Sequence, residues 1–285
     1  MNKTVKVILI IAAVMIMTGL ALCVAAIASG NWHPIRCGNN IPLTAEDAQT
    51  EASGYQSQEY QIDADGISRL EISAVADNII IKAHADSNNI IVHYTNSKYH
   101  RYDIKATGGN LSIRYRDLDH GLGFFALRQC LLPTQMELWL PQSFFERGEL
   151  DLELVSGKIE LQGISGASCA VKSVSGDIQL LDCAFDELDW YSVSGDTLIR
   201  GGSGSAHGEA ISGSATIEGA GFSKLEINLV SGDIEAELLG SSQDYRIDTK
   251  SVSGDVEADR GNDLAAGHID LQTISGDIEL VFHSR

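Results

Sequence analysis

The chain has 285 residues, enough for one large domain or two modest ones with a sizeable core. Its 28 glycines against 4 prolines, with 44% hydrophobic residues, describe a turn-rich folded chain rather than a disordered one. A formal net charge of −19 argues against a nucleic-acid partner, whose phosphates would be repelled, and suits a solvated surface outside the cytoplasm.

Lys3 and Lys6 precede an uncharged apolar run from Val7 to Ala28. Its 22 residues exceed the roughly 20 that cross a bilayer as a helix. The basic N-terminal side predicts a single-pass anchor at 7–28, with residues 1–6 cytoplasmic and everything beyond exported from the cell membrane. Trp32 falls where an interfacial aromatic belongs. A cleaved signal peptide is the rival reading, because Ala26-Ile27-Ala28 resembles a cleavage site, although the run is long for one. Lipid attachment at Cys23 is disfavoured by the bulky Leu22 before it.

Residues 29–57 are polar and irregular and read as a stalk. A β-repeat domain is expected over 58–285. Its first part holds short runs rich in β-branched residues and bounded by polar turns: Leu70–Ile72, Asn78–Ile81, Asn89–Tyr94 and Leu111–Tyr115. The apolar segment 118–133 interrupts this rhythm. It is read either as a cover over an open part of the β core or as an exposed loop that touches membrane or a partner.

Of the five cysteines, Cys37, Cys130, Cys169 and Cys183 lie in the exported part. No C-x-x-C pair and no zinc-like Cys/His spacing occurs, and nothing selects a disulfide pairing. Buried small apolar residues are the plainer reading. The eight histidines are scattered, without metal spacing.

From residue 150 to 282 one motif recurs in close variants of VSGDI. Aligned on its serine, the copies stand at Ser156, Ser175, Ser194, Ser212, Ser231, Ser253 and Ser275, at intervals of 19, 19, 18, 19, 22 and 22. A near-fixed period of this kind marks a repeat architecture. The residue before each serine is Val or Ile: Val155, Val174, Val193, Ile211, Val230, Val252 and Ile274. Positions three and five after it are mostly apolar, as in Ile159 and Leu161, Ile178 and Leu180, or Ile278 and Leu280. Alternating residues enter the motif and leave it with their phase shifted by one. Such a shift with an invariable glycine predicts a corner at Gly157, Gly176, Gly195, Gly213, Gly232, Gly254 and Gly276. A unit of this length is too short for a βαβ crossover but fits one rung of a coil. The expectation is an all-β parallel β-solenoid of seven rungs, stacked in chain order with the Val/Ile positions as interior ladders. A twisted antiparallel sheet of repeats is the alternative.

These VSGDI strands, preceded by short strands and by Glu137-Leu138-Trp139-Leu140-Pro141, resemble the bacterial DUF4097 family of adhesin-like proteins across about residues 60–282. The resemblance implies a β-strand-repeat protein, often membrane-anchored in Gram-positive bacteria and in some cases associated with the envelope-stress response. It brings no catalytic residues. Lys158 and Ser214 depart from the pattern at the Asp position.

The Asp column, Asp177, Asp196, Asp233, Asp255 and Asp277, is a weak candidate for a metal site. Calcium wants about six to eight oxygens, and each corner offers one carboxylate and a hydroxyl. The plainer reading is that Asp bonds turn N–H groups, with Lys158 a counter-charge beside Asp177. The patch Gly201–Gly208 invites a nucleophile reading but lacks the G-x-S-x-G frame, and reads as a return loop. No cofactor is expected. The function read from the chain is a non-catalytic envelope scaffold whose partner is an envelope or membrane protein. An adhesin binding surface glycan or cell-wall polymer is the alternative, and a carbohydrate-active enzyme is the weakest reading.

Overall fold

The computed structural model describes residues 56–96, 100–117 and 134–283. The expected anchor, the expected stalk up to residue 55 and the segment 118–133 lie outside the described residues, as do Cys37 and Cys130. Gln56 and Ser57, assigned above to the stalk, open the first strand. Among the described residues no helix is long and apolar enough to cross a membrane.

The N-terminal strands are β1 (Gln56–Asp63), β2 (Arg69–His84), β3 (Asn89–Asn96), β4 (His100–Thr107), β5 (Asn110–Asp117) and β6 (Thr134–Pro141). One helical turn, α1 (Gln142–Phe145), follows. The repeats form β7 (Glu149–Gln162), β8 (Ser165–Leu181), β9 (Ala184–Ser194), β10 (Thr197–Arg200), β11 (Ser203–Ser212), β12 (Ala215–Ser231) and β13 (Ile234–Leu239). The last are β14 (Tyr245–Ser253), β15 (Val256–Ala258), β16 (Gly267–Ser275) and β17 (Ile278–His283).

Each rung has two arms that meet at the Ser-Gly-Asp corner, and neighbouring rungs pair in parallel, so the protein is a parallel β-solenoid. In the first arm the order is β4-β5-β2-β7-β8-β9-β11-β12-β16-β14. In the second it is β1-β3-β6-β2-β7-β8-β10-β12-β13-β17-β15. Among the described residues antiparallel pairing is confined to the N-terminal end, in β1–β3, β3–β6 and β4–β5. The core fills the angle between the arms, where Leu150, Leu152, Ile159 and Leu161 of one rung stack on Cys169, Val171, Ile178 and Leu180 of the next.

An eighth rung precedes the seven. Strand β2 pairs with β7 through the corner, placing Ala76 opposite Ser156, Asp77 opposite Gly157 and Ile79 opposite Ile159. Its core residues Leu70, Ile72, Ala74, Ile79 and Ile81 keep the full repeat spacing. Ala76-Asp77-Asn78 replaces the Ser-Gly-Asp triplet, which hides the copy from an alignment on the Ser-Gly pair.

Four expectations are corrected. The residue before each serine does not point inward: Val155, Val174, Val193 and Val252 are 47, 41, 40 and 58% exposed. The interior position lies one residue earlier, at Leu154, Ser173, Ser192, Leu229 and Thr273. Next, the last two rungs are not in chain order. The rung of Ser231 pairs with that of Ser275, which pairs in turn with that of Ser253. The chain therefore advances two spacings and steps back one, and the two 22-residue intervals supply the longer connections this needs. Tyr245 lies over Gly267, and its hydroxyl reaches past that strand to the Phe222 carbonyl, 2.9 Å away.

Third, the Gly-rich patch is a loop only at Gly201 and Gly202; Ser203–Ser212 is β11, an arm of the fold. Its inward positions Ala206, Gly208 and Ala210 are small because the buried Trp190 of the neighbouring rung fills the space. A Cβ at Gly208 would lie 2.0 Å from the indole. This rung also lacks one bulge residue, since Gly204 and Ser205 face Phe185 and Glu187 across Asp186. The 18-residue interval has that origin. Finally, Lys158 does not neutralise Asp177; its ammonium bonds Glu160 at 2.6 Å.

Candidate functional site

The corner is held by three sets of contacts. At Gly176 a Cβ would fall 2.2 Å from the Gly157 carbonyl oxygen, and the other six corner glycines meet the preceding rung at 2.1 to 2.5 Å. Six of the seven also have positive φ; Gly176 does not. Close approach between rungs therefore requires glycine at every level, and backbone conformation at most of them.

The Asp column is a hydrogen-bond ladder. The Asp196 N–H donates to the Asp177 carboxylate at 3.1 Å, and the Ser214 N–H to Asp196 at 2.9 Å. The Asp233 N–H donates to the Ser214 hydroxyl at 3.3 Å, the Asp277 N–H to Asp233 at 2.8 Å, and the Asp255 N–H to Asp277 at 2.7 Å. Serine at 214 keeps the acceptor, which explains that departure from the motif. Among the described residues no group of three or more His, Cys, Asp or Glu side chains has metal-holding geometry. Inside the corner, the hydroxyls of Ser173, Ser251 and Thr273 bond glycine carbonyls at 3.0, 2.8 and 3.2 Å. At the first rung Asp77 replaces the glycine; its buried carboxylate accepts from the Tyr102 and Thr134 hydroxyls.

Outside the corner runs a line of β-branched side chains in stacking order: Val75, Val155, Val174, Val193, Ile211, Val230, Ile274 and Val252, of which Val155, Val174, Val193 and Val252 are exposed and the other four half-buried. Eight rungs at about 4.8 Å spacing make a ridge of about 34 Å. β-branching suits the extended backbone before a corner. Threonine would serve the backbone equally well, yet none of the eight is threonine.

A polar groove lies on the outer face of the first arm, where the β4–β5 hairpin extends it. One cavity of about 340 Å³ is lined by Glu71, Asp103, Lys105, Thr107, Asn110, Ser112 and Arg114. A second of about 160 Å³ lies beside it, with Asp151 and Glu153 on its wall, and shares Glu71 and Arg114. Arg114 bonds Glu71 at 3.0 Å; Arg69 reaches Glu71, Glu149 and Asp151 at 3.3, 3.3 and 3.2 Å. The Arg114 hydrogen bond holds Glu71 below the usual carboxylate range. The repeats drew attention to residues 150–282 and away from this groove; the outward R-x-E of Arg69 and Glu71 and S-x-R of Ser112 and Arg114 were its signal.

Further along the same face His207 sits 3.3 Å from Glu209 and 3.8 Å from Glu226. Its hydrogen bond with Glu209, against an opposing effect of burial, raises its pKa. Burial lifts the pKa of Asp270 two rungs away. Cys169 and Cys183 are buried free thiols, and burial pushes both upward.

A model of the Toastrack DUF4097 family matches residues 67–282. No curated protein matches the chain. Among solved structures, a Parabacteroides distasonis protein described as a "putative adhesin" is 11% identical over 79% of this chain and 97% of that one, with a TM-score of 0.45. A Bacteroides fragilis protein so described is 10% identical over 79% and 97%, with a TM-score of 0.38. A Clostridium sporogenes "putative cell adhesion protein" is 7% identical over 80% and 100%, with a TM-score of 0.37.

Proposed function

The chain belongs to the Toastrack DUF4097 family, and from that premise we propose that it is a non-catalytic interaction scaffold displayed on the outer side of a bacterial cell membrane. The apolar run 7–28 would anchor it, and the solenoid would present a surface to an envelope or membrane protein. The link to the envelope-stress response rests on family kinship and forms part of the same proposal.

The observation that carries this reading is the exposed Val/Ile ridge. An apolar side chain kept outside the core at eight successive rungs, exposed at four of them and half-buried at the rest, where threonine would serve the fold, is what a docked partner calls for.

The test is site-specific photo-crosslinking of the full chain in membranes, with the crosslinker at Val174 or Val193 and at the outward Leu198 as control. A discrete product is expected from the ridge positions alone, lost with Val155→Asp. Equal products from all three positions would sink the reading. A second reading, an adhesin for surface glycan, is supported by the polar groove.

A further inference from the structure

We propose that the groove between Asp103 and Glu153 is a binding subsite for a neutral oligosaccharide; this rests on the glycan-binding reading and is independent of the ridge. The two cavities share Glu71 and Arg114 and so form one groove across β4, β5, β2 and β7. Three strand spacings give it a length of roughly 14 Å. Its walls are polar side chains; the one apolar lining residue, Ile72, has its side chain in the core. A lipid or aromatic ligand would find nothing to pack on, whereas a hydroxyl-rich one meets donors and acceptors throughout.

The charges decide between neutral and ionic ligands. All four lining carboxylates already face a cation: Glu71 faces Arg114 and Arg69, and Asp103 faces Lys105 at 2.7 Å. Asp151 faces Arg69 at 3.2 Å, and Glu153 faces Lys172 at 3.1 Å. A charged ligand would have to break one of these pairs, and a neutral one would not. Below the groove surface Asn110 and Asp151 each keep a buried oxygen without a hydrogen-bond partner, that of Asp151 3.9 Å from the Lys172 ammonium. The reachable groups are the exposed side chains of Asp103, Glu153 and Arg114; vicinal sugar hydroxyls donate to the two carboxylates and accept in return from the planar fork of Arg114.

The experiment is calorimetric titration of the full chain with cellohexaose and with the hexamer of N-acetylglucosamine, beside an oligogalacturonate as the anionic probe. Saturable binding of at least one neutral hexamer is expected, weakened at least tenfold in Arg114→Lys, which keeps the charge and loses the fork, and in Ser112→Trp, which fills the groove. Far-UV circular dichroism and thermal unfolding confirm that each variant is folded. Val174→Asp, on the ridge, should bind as the parent does, so failure of the groove and failure of the ridge are separately visible. The proposal is overturned if no neutral hexamer saturates, if only the anionic oligomer binds, or if both groove variants bind like the parent.

Discussion

Between successive corners there is room for a glycine hydrogen and nothing larger, and Gly176 isolates that constraint because its φ is not positive. Gly176→Ala is therefore expected to lower stability by about 1–3 kcal/mol through crowding alone, read by urea denaturation; an unchanged midpoint would refute the close-approach account. The aspartate beside it acts through the next rung. Asp196→Ala removes the acceptor of the Ser214 N–H and should cost about 0.5–1.5 kcal/mol, whereas Asp196→Asn, which keeps an oxygen there, should cost less in the same assay. Four of the five candidate carboxylates, those of Asp177, Asp196, Asp233 and Asp277, accept a backbone N–H of the next rung, while Asp255 on the end rung donates its own N–H to Asp277.

On the strand face of β11 and β12, His207 is tied to Glu209 and Glu226, with Asp189, Tyr191 and Lys224 around it. Its folded pKa is raised, so its contribution to stability is complete below the ordinary histidine value of about 6.5 and is lost as pH rises through the raised one. The difference in unfolding free energy between the parent and His207→Gln should shrink across that window; a difference independent of pH would exclude the linkage. Element composition also explains the order of the last rungs. The rung of Ser275 brings Ile269, Leu271, Ile278 and Leu280 to the interior, all buried, while the same columns in the rung of Ser253 hold Ile247, Thr249, Ser251, the 44% exposed Val256 and Ala258. The more apolar rung takes the inner place, and the more polar one closes the stack. Leu271→Ala should accordingly cost about 2–5 kcal/mol and Thr249→Ala much less, by the same denaturation measurement.

For the whole molecule, the stack behaves as a line of rungs held mainly by their neighbours, so the end rung opens first. Amides of β14 and β15 should exchange faster than those of β16 and β17, although the latter lie nearer the C-terminus. Hydrogen-exchange mass spectrometry that found the reverse would contradict the inserted order. The eighth rung shows how far the motif alone could be read. Leu70, Ile72, Ile79 and Ile81 kept the apolar spacing, but the Ser-Gly pair that anchors the alignment is Ala76-Asp77 there. The outward R-x-E and S-x-R marked polar positions but not the groove, because Asp103 and Arg114 come beside Glu71, and Arg114 near Asp151, only when the β4–β5 hairpin joins the first arm.

The amino-acid sequence by itself determined the repeat, its corner glycines and the parallel solenoid, because period and alternation are local consequences of backbone geometry. Tertiary structure alone decided which apolar column faces solvent, which rung closes the stack and where the polar groove forms. Those depend on what each side chain meets across a neighbouring rung. The Val or Ile before each serine is equally apolar wherever it points, and only the corner's turn directs it outward.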